Sequence, residues 1–202
     1  MHPGQTLEDR INHFLAEKEK YQLGELMTEQ GHQLTKNLST QAKNDPQEGL
    51  KSIFAVDHAA MGVLLSEHLP KIHAIREQVQ SVLASGGRIF LGGCGATGRL
   101  SVSLERIWRE SGQENQDSVI GFIAGGDVAF VHAIEGFEDY PEYGAHQLND
   151  LGFAENDLFI GITEGGETPF VIGATEEAAK IRMSEEDCKI LRKRCASRLL
   201  NF

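Results

Sequence analysis

Apolar residues recur on two different periods along this chain. Over residues 46–84 positions such as Leu50, Ile53, Phe54, Val63, Leu64, Ile72, Ile75, Val79 and Leu83 follow one another mostly at three- and four-residue steps. That spacing predicts two long helices, interrupted at Pro70. Beyond residue 87 the pattern changes to short, continuous apolar runs separated by helical stretches. Strands are predicted over 88–91, 119–123 and 157–162, and helices over 97–110, around 127–134, and over 143–151 and 169–180. Strands that are apolar throughout and alternate with helices make a parallel sheet covered on both faces, so the predicted class is α/β, a doubly wound parallel sheet. Ahead of it, residues 6–29 read as a polar helix and 37–46 as a loop rich in Asn, Ser, Thr and Asp, with Pro46 opening the next helix. The chain thus divides into an N-terminal helical arm (1–45), an α/β domain (46–179) and a basic amphipathic tail helix (180–202) with Ser184 as its N-cap.

In a sheet of this kind ligands meet the carboxyl ends of the strands. Three loops fall there: Gly92–Gly98, Gly125-Gly126-Asp127 and Thr163–Pro169. The first joins strand to helix through Gly92, Gly93, Gly95 and Gly98, which allows close backbone approach, while the free N–H groups of the new helix attract an anion. Gly95, Ala96, Thr97, Gly98 and Arg99 are therefore candidate phosphate-binding residues, with Thr97 offering a hydroxyl. Gly93, Gly95 and Gly98 also match the spacing of a dinucleotide fingerprint. The acidic residue that should close the next strand is then represented only by the late Asp127, and no Gly-Lys-Ser/Thr follows to make a P-loop. Glycines that merely tighten a turn are the plain structural alternative. In the third loop Gly165, Gly166 and Thr168 repeat the logic of the first, whereas Glu164 and Glu167 would repel a phosphate and suit sugar hydroxyls, a general acid/base task or water alone.

Composition narrows the function. A net charge of −11 over 202 residues argues against nucleic acid or an anionic membrane as the main partner. No apolar run reaches the roughly 20 residues that a membrane span requires, and the N-terminus lacks the pattern of a secretory leader. Cys94, Cys188 and Cys195 fit neither a disulfide framework nor a zinc site, which points to a reducing, cytoplasmic setting. The histidines, among them His58, His68, His73, His132 and His146, form no pair at metal spacing, so neither metal nor cofactor is expected. Trp108 and Phe122 read as core. Residues 180–202 carry seven Lys/Arg against three acidic residues, most simply a solvated helix face, with a docking site for an acidic partner as the alternative.

Four blocks, Leu91-Gly-Gly-Cys-Gly-Ala-Thr-Gly-Arg-Leu100, Ile120-Gly-Phe-Ile-Ala-Gly-Gly-Asp127, Ala133-Ile-Glu-Gly-Phe-Glu-Asp139 and Gly161-Ile-Thr-Glu-Gly-Gly-Glu-Thr-Pro-Phe170, occur in order. In sequence and spacing they resemble the SIS (sugar isomerase) domain of N-acetylmuramic acid 6-phosphate etherases and the related glucokinase regulatory proteins. The resemblance runs from about Met27 to about Ala179. It implies a sugar-phosphate ligand, held by the first loop and by a hydroxyl in the third. Where the family commonly has Ser-Gly-Arg-Thr-Pro in the third loop, this chain has Gly165-Gly166-Glu167-Thr168-Pro169.

Elimination of lactate, the etherase reaction, needs an acid and a base. The resemblance supplies Glu138 as one tentative catalytic carboxylate. An ungapped alignment puts Ile107 where the family has its second glutamate, and Glu105, two residues away, is a weak candidate because it falls on another face of the helix. A binding or regulatory module is therefore expected ahead of an active etherase (lyase), with aldose–ketose isomerisation a further alternative whose base cannot be placed. The resemblance also implies five strands, of which three are predicted, so a second copy or a partner chain is expected to cover the sheet edge.

Overall fold

A computed structural model describes residues 6–17, 30–112, 115–134 and 136–182. The predicted tail helix with its Ser184 cap, Cys188, Cys195 and the start of the resemblance near Met27 lie outside the described residues. By contact density the chain divides into two compact units, residues 1–66 and residues from Glu67 onward.

In the first unit, α1 (Leu7–Glu17) is capped by Thr6 and Asp9, whose side chains each accept from the other's backbone N–H; the Thr6 hydroxyl also donates to the Asp9 carboxylate at 2.6 Å, and this bond first, then that from the Thr6 N–H, holds the carboxyl below its ordinary pKa. A 3₁₀ turn (Gln33–Thr35) leads to α2 (Leu38–Asn44) and α3 (Pro46–Val63). The loop expected over 37–46 is thus mostly helix. Local composition favours a turn there, but α2 packs on α3, with Ala42 against Gly49 and the Ser52 hydroxyl donating to Gln41. Pro46 opens α3 as expected, and Asp45 caps it, its carboxylate accepting from the N–H groups of Gln47 and Glu48. The break expected at Pro70 is a π-turn at Leu64–His68, one turn earlier, after which Pro70 sits in the first turn of α4 (Leu69–Ala84), where its missing N–H costs nothing.

The second unit is an α/β layer structure. Strands β1 (Ile89–Gly93), β2 (Val119–Ile123) and β3 (Leu158–Ile162) pair in parallel in the order β2-β1-β3, with Ile89 beside both Val119 and Leu158. Between β1 and β2 runs α5 (Gly95–Glu110); α6 (Asp127–Val131) and α7 (Pro141–Asp150) lie between β2 and β3, and α8 (Pro169–Arg182) comes after β3. The fold is therefore the α/β, all-parallel open sheet that the sequence predicts.

Alternation along the strands sorts two cores. Ile89, Leu91 and Val119 face α4 and α5, where Val79, Leu83 and Trp108 pack on them. Phe90 and Phe122 face the other way, onto Leu148, Phe170, Val171 and Ala174 of α7 and α8. Those two helices lie very close. A Cβ at Gly173 would land on the Pro141 carbonyl, and one at Gly144 on the Phe170 carbonyl, so glycine at both positions sets the spacing.

Candidate functional site

The first loop is built as a self-contained cap. Cys94 is extended, and Gly95, with φ +49, turns the chain into α5. The Thr97 hydroxyl accepts the Cys94 N–H at 3.2 Å and donates to the Cys94 carbonyl at 2.9 Å. The same carbonyl also accepts from the Gly98 N–H. Thr97, proposed from sequence as a phosphate donor, here has its proton committed to its own loop. The Thr97 N–H meets the Cys94 side chain, closing a capping box, and the N–H groups ahead of it supply the positive end of α5.

Beside that turn, at the carboxyl ends of β1 and β2, lies a cavity of about 180 Å³ lined by Cys94, Gly95, Arg99, Ile123, Ala124, Ala129, Ala133, Ile134 and Glu138. It brings the first loop together with Glu138, two regions that sequence reasoning linked only through the resemblance. Arg99 is half-buried, and its guanidinium donates to the carbonyls of Phe130 at 3.1 Å and Ala129 at 3.5 Å. Among the described residues it pairs with no carboxylate. The Cys94 thiol is pushed up to about 12, by burial above all and then by the carboxylates of Glu138 and Asp139. The cavity thus holds one cation, one carboxylate and a neutral thiol on otherwise apolar walls.

The remaining candidates lie elsewhere. Gly165, Gly166 and Thr168 do not line the cavity. Thr168 instead meets Thr163, hydroxyl to hydroxyl at 3.0 Å. The start of α8 still touches the site indirectly, because the Phe170 N–H donates to the backbone carbonyl of Glu138 at 3.0 Å. Glu105 is spent on structure. Its carboxylate accepts the Gly121 N–H of β2 at 2.6 Å and the Arg109 guanidinium at 2.9 Å, and Arg109 also pairs with Asp117. Ile107 is 62% exposed. Trp108 packs on the sheet and donates its indole N–H to the Asn115 carbonyl, and Phe122 is buried.

Ala129, Ala133 and Ile134 were not among the site residues read from sequence, although Ala133 and Ile134 open the third block of the resemblance. A wider depression of about 310 Å³, lined by Phe159, Thr175, Ala178, Ala179 and Arg182, contains none of the candidate residues. Among the described residues no three His, Cys, Asp or Glu side chains gather to hold a metal, and no helix is long and apolar enough to cross a membrane.

A parallel sheet whose first strand delivers a glycine loop to a helix N-terminus, with a cation and a carboxylate beside it, defines an α/β domain of the doubly wound class. The family model of the glucokinase regulatory protein N-terminal SIS domain matches residues 71–179, more than half of the chain, and the chain belongs to that family. Individual relatives agree. N-acetylmuramic acid 6-phosphate etherase of Listeria monocytogenes (serotype 4b, strain CLIP80459) is 35% identical over 156 residues, 73% of this chain and 53% of its own length. The etherase of Aliivibrio fischeri (strain MJ11) is 32% identical over 152 residues, 71% and 51% respectively, and that of Klebsiella aerogenes 30% over 156 residues, 77% and 51%. The chain spans about half the length of the curated relatives it matches.

Proposed function

We propose that this protein binds a sugar phosphate at the cavity beside the first loop and acts as a binding or regulatory module rather than as an etherase. The observation that carries the reading is the meeting of Gly95 and Arg99 with Glu138 around one cavity. The phosphate would lie against the N-terminal turn of α5 and the Arg99 guanidinium, a charge-assisted arrangement. Glu138 would accept from a sugar hydroxyl. At about 180 Å³ the space is below the roughly 300 Å³ of ordinary ligand pockets, so it takes the phosphate and part of the ring while the rest of the sugar projects out.

Binding without turnover is favoured by the carboxylates. Glu138 is the one that lines the cavity, while Glu105 is occupied by Gly121 and Arg109, and an isoleucine stands at the aligned position of the second glutamate. Active etherase chemistry is the second reading, kept by the presence of Glu138 itself. The free, buried Cys94 fits a reducing, cytoplasmic setting, and self-association along the sheet edge belongs to the same proposal.

Calorimetric titration with hexose 6-phosphates and amino-sugar 6-phosphates tests the function. Binding of the phosphorylated sugars, with their unphosphorylated counterparts at least tenfold weaker, is the expected result. Equal affinity for both would overturn it. Release of lactate from N-acetylmuramic acid 6-phosphate at ordinary enzymatic rates would replace the binding reading by the etherase one.

A further inference from the structure

We propose that Arg99 is a latch: it pins the α6 segment as one wall of the cavity, and an anion entering the cavity takes the guanidinium and frees that wall. The inference rests on the reading of this cavity as the anion site. The wall itself is lightly built. Ala129, Ala133 and Ile134 line the cavity, but α6 has only five residues, and on its outer side Val128 is 62% and Val131 72% exposed. The segment leaves β2 through Gly125 and Gly126, at φ +88 and +71, torsions that glycine alone adopts without strain and that can absorb a swing of α6. Arg99, one turn into α5, reaches across to the Phe130 and Ala129 carbonyls.

Those two bonds are easily given up. A guanidinium has five N–H donors. Here it offers them to neutral carbonyls, and the longer contact, at 3.5 Å, is at the limit of a hydrogen bond. A phosphate oxygen carries a full charge, so with it the guanidinium forms an ion pair, two-pronged where the fork allows, in place of bonds to neutral carbonyl dipoles. Since Arg99 lines the cavity, an anion there competes directly for the group that holds α6. By linkage, whatever loosens α6 also favours the anion on Arg99. The ligand therefore loosens one wall of its own site.

Hydrogen exchange on the full chain tests this at two amides with defined native bonds, Ala129 N–H to the Gly126 carbonyl and His132 N–H to the Val128 carbonyl, both 2.9 Å. In Arg99→Ala without ligand, exchange at 127–132 should be about ten- to a hundredfold faster, as expected for a lost bond to a charged donor, while the β1 amides stay protected and report an intact fold. Saturating inorganic phosphate should speed the same amides in the wild type and leave the variant unchanged. Should Arg99→Ala fail to fold, Arg99→Lys, which keeps the charge but not the fork, replaces it, with a smaller acceleration expected. Wild-type exchange at 127–132 in the folded variant, or no effect of phosphate on α6 in the wild type, overturns the latch. Hexose 6-phosphate binding by calorimetry with α6 exchange unaltered sinks the latch and leaves the proposed function standing. Phosphate-driven release of α6 with no hexose 6-phosphate affinity does the reverse.

Discussion

Arg88 and Asp157 lock the amino-terminal ends of β1 and β3 together through a two-pronged ion pair, Nη2 to Oδ2 at 2.6 Å and Nε to Oδ1 at 3.3 Å, while the Arg88 backbone N–H donates to the same carboxylate at 2.8 Å. The Ala154 N–H adds a fourth bond, Arg88 reaches the Gly152 carbonyl, and its guanidinium lies 4.9 Å from the centre of the Phe90 ring. The pair sits at the opposite end of the strands from the cavity. Its role is to fix the register on which the first and third loops depend.

Asp157 should make stability fall in acid. Burial by itself would raise its pKa, but the bonds from Arg88 and Ala154 outweigh it and leave the carboxyl below its ordinary value. A depressed folded-state pKa contributes stability that is full above the unfolded value of about 3.9 and is lost as pH falls through the folded value. Asp157→Asn should remove that acid dependence below about pH 4 and, by replacing the charged acceptor of Arg88 and Ala154 with a neutral amide, cost about 1–3 kcal/mol at pH 7. Urea unfolding across pH 2.5–7 measures both, and parallel curves for variant and wild type would exclude the assignment.

The two glutamates should separate cleanly. Glu105→Ala strands the Gly121 N–H and one side of Arg109, so it should destabilise the fold by about 1–3 kcal/mol and leave sugar-phosphate affinity within twofold. Glu138→Gln should do the opposite, weakening the ligand about tenfold with little change in melting temperature. Thermal melts and calorimetry on the two variants decide it; an affinity loss in Glu105→Ala would return that residue to the site.

How much of this was readable from the chain depends on what each feature rests on. β2 was predicted over its observed residues because apolar content alone defines a buried strand. β1 runs two residues past its prediction, since Gly92 and Gly93, taken for the turn, continue the ladder opposite Phe122 and Ile123. Glycine is needed there because the Phe122 and Phe159 rings, 5.8 Å apart, close over position 92. α2 was invisible because its helicity comes from packing on α3. At the site, glycines, Arg99 and Glu138 carry chemical signatures, whereas Ala129, Ala133 and Ile134 are wall by position only. The direction of the Thr97 proton is a matter of local geometry that no motif encodes.

That geometry makes its own prediction. With both its bonds made to Cys94, the Thr97 hydroxyl acts as a helix cap, and Thr97→Val should cost about 1 kcal/mol in the absence of ligand. Thr97→Ser keeps the oxygen and should recover most of it. Denaturant midpoints for the three proteins test this, and a Val variant as stable as the wild type would show that the cap contributes nothing.

The spacing of α7 and α8 should tolerate no side chain at position 173. Gly173 is buried, and an added Cβ meets the Pro141 backbone, which cannot rotate away as a flexible side chain could. Gly173→Ala should therefore cost about 1–3 kcal/mol through overpacking, outweighing the gain of up to about 1 kcal/mol that alanine brings to a helix interior. Unfolding free energies measure the balance; a stabilised variant would mean that the two helices separate at no cost.

Cys94 should be a slow thiol despite lining the cavity. Only the thiolate reacts, and a pKa pushed up to about 12, first by burial and then by Glu138 and Asp139, leaves far less of it at pH 8 than an ordinary cysteine carries. Against a reference near 8.5 the thiolate fraction falls roughly a thousandfold. Alkylation by iodoacetamide, followed by peptide mass spectrometry so that Cys94 is read separately from Cys188 and Cys195, should show Cys94 reacting at least a hundredfold more slowly than a free-cysteine peptide. Because burial is the larger cause, Glu138→Gln should accelerate it only modestly, whereas mild urea that opens the unit should release most of the protection. Reaction of Cys94 at the peptide rate in native buffer would place the thiol in solvent and overturn the wall of the cavity as described.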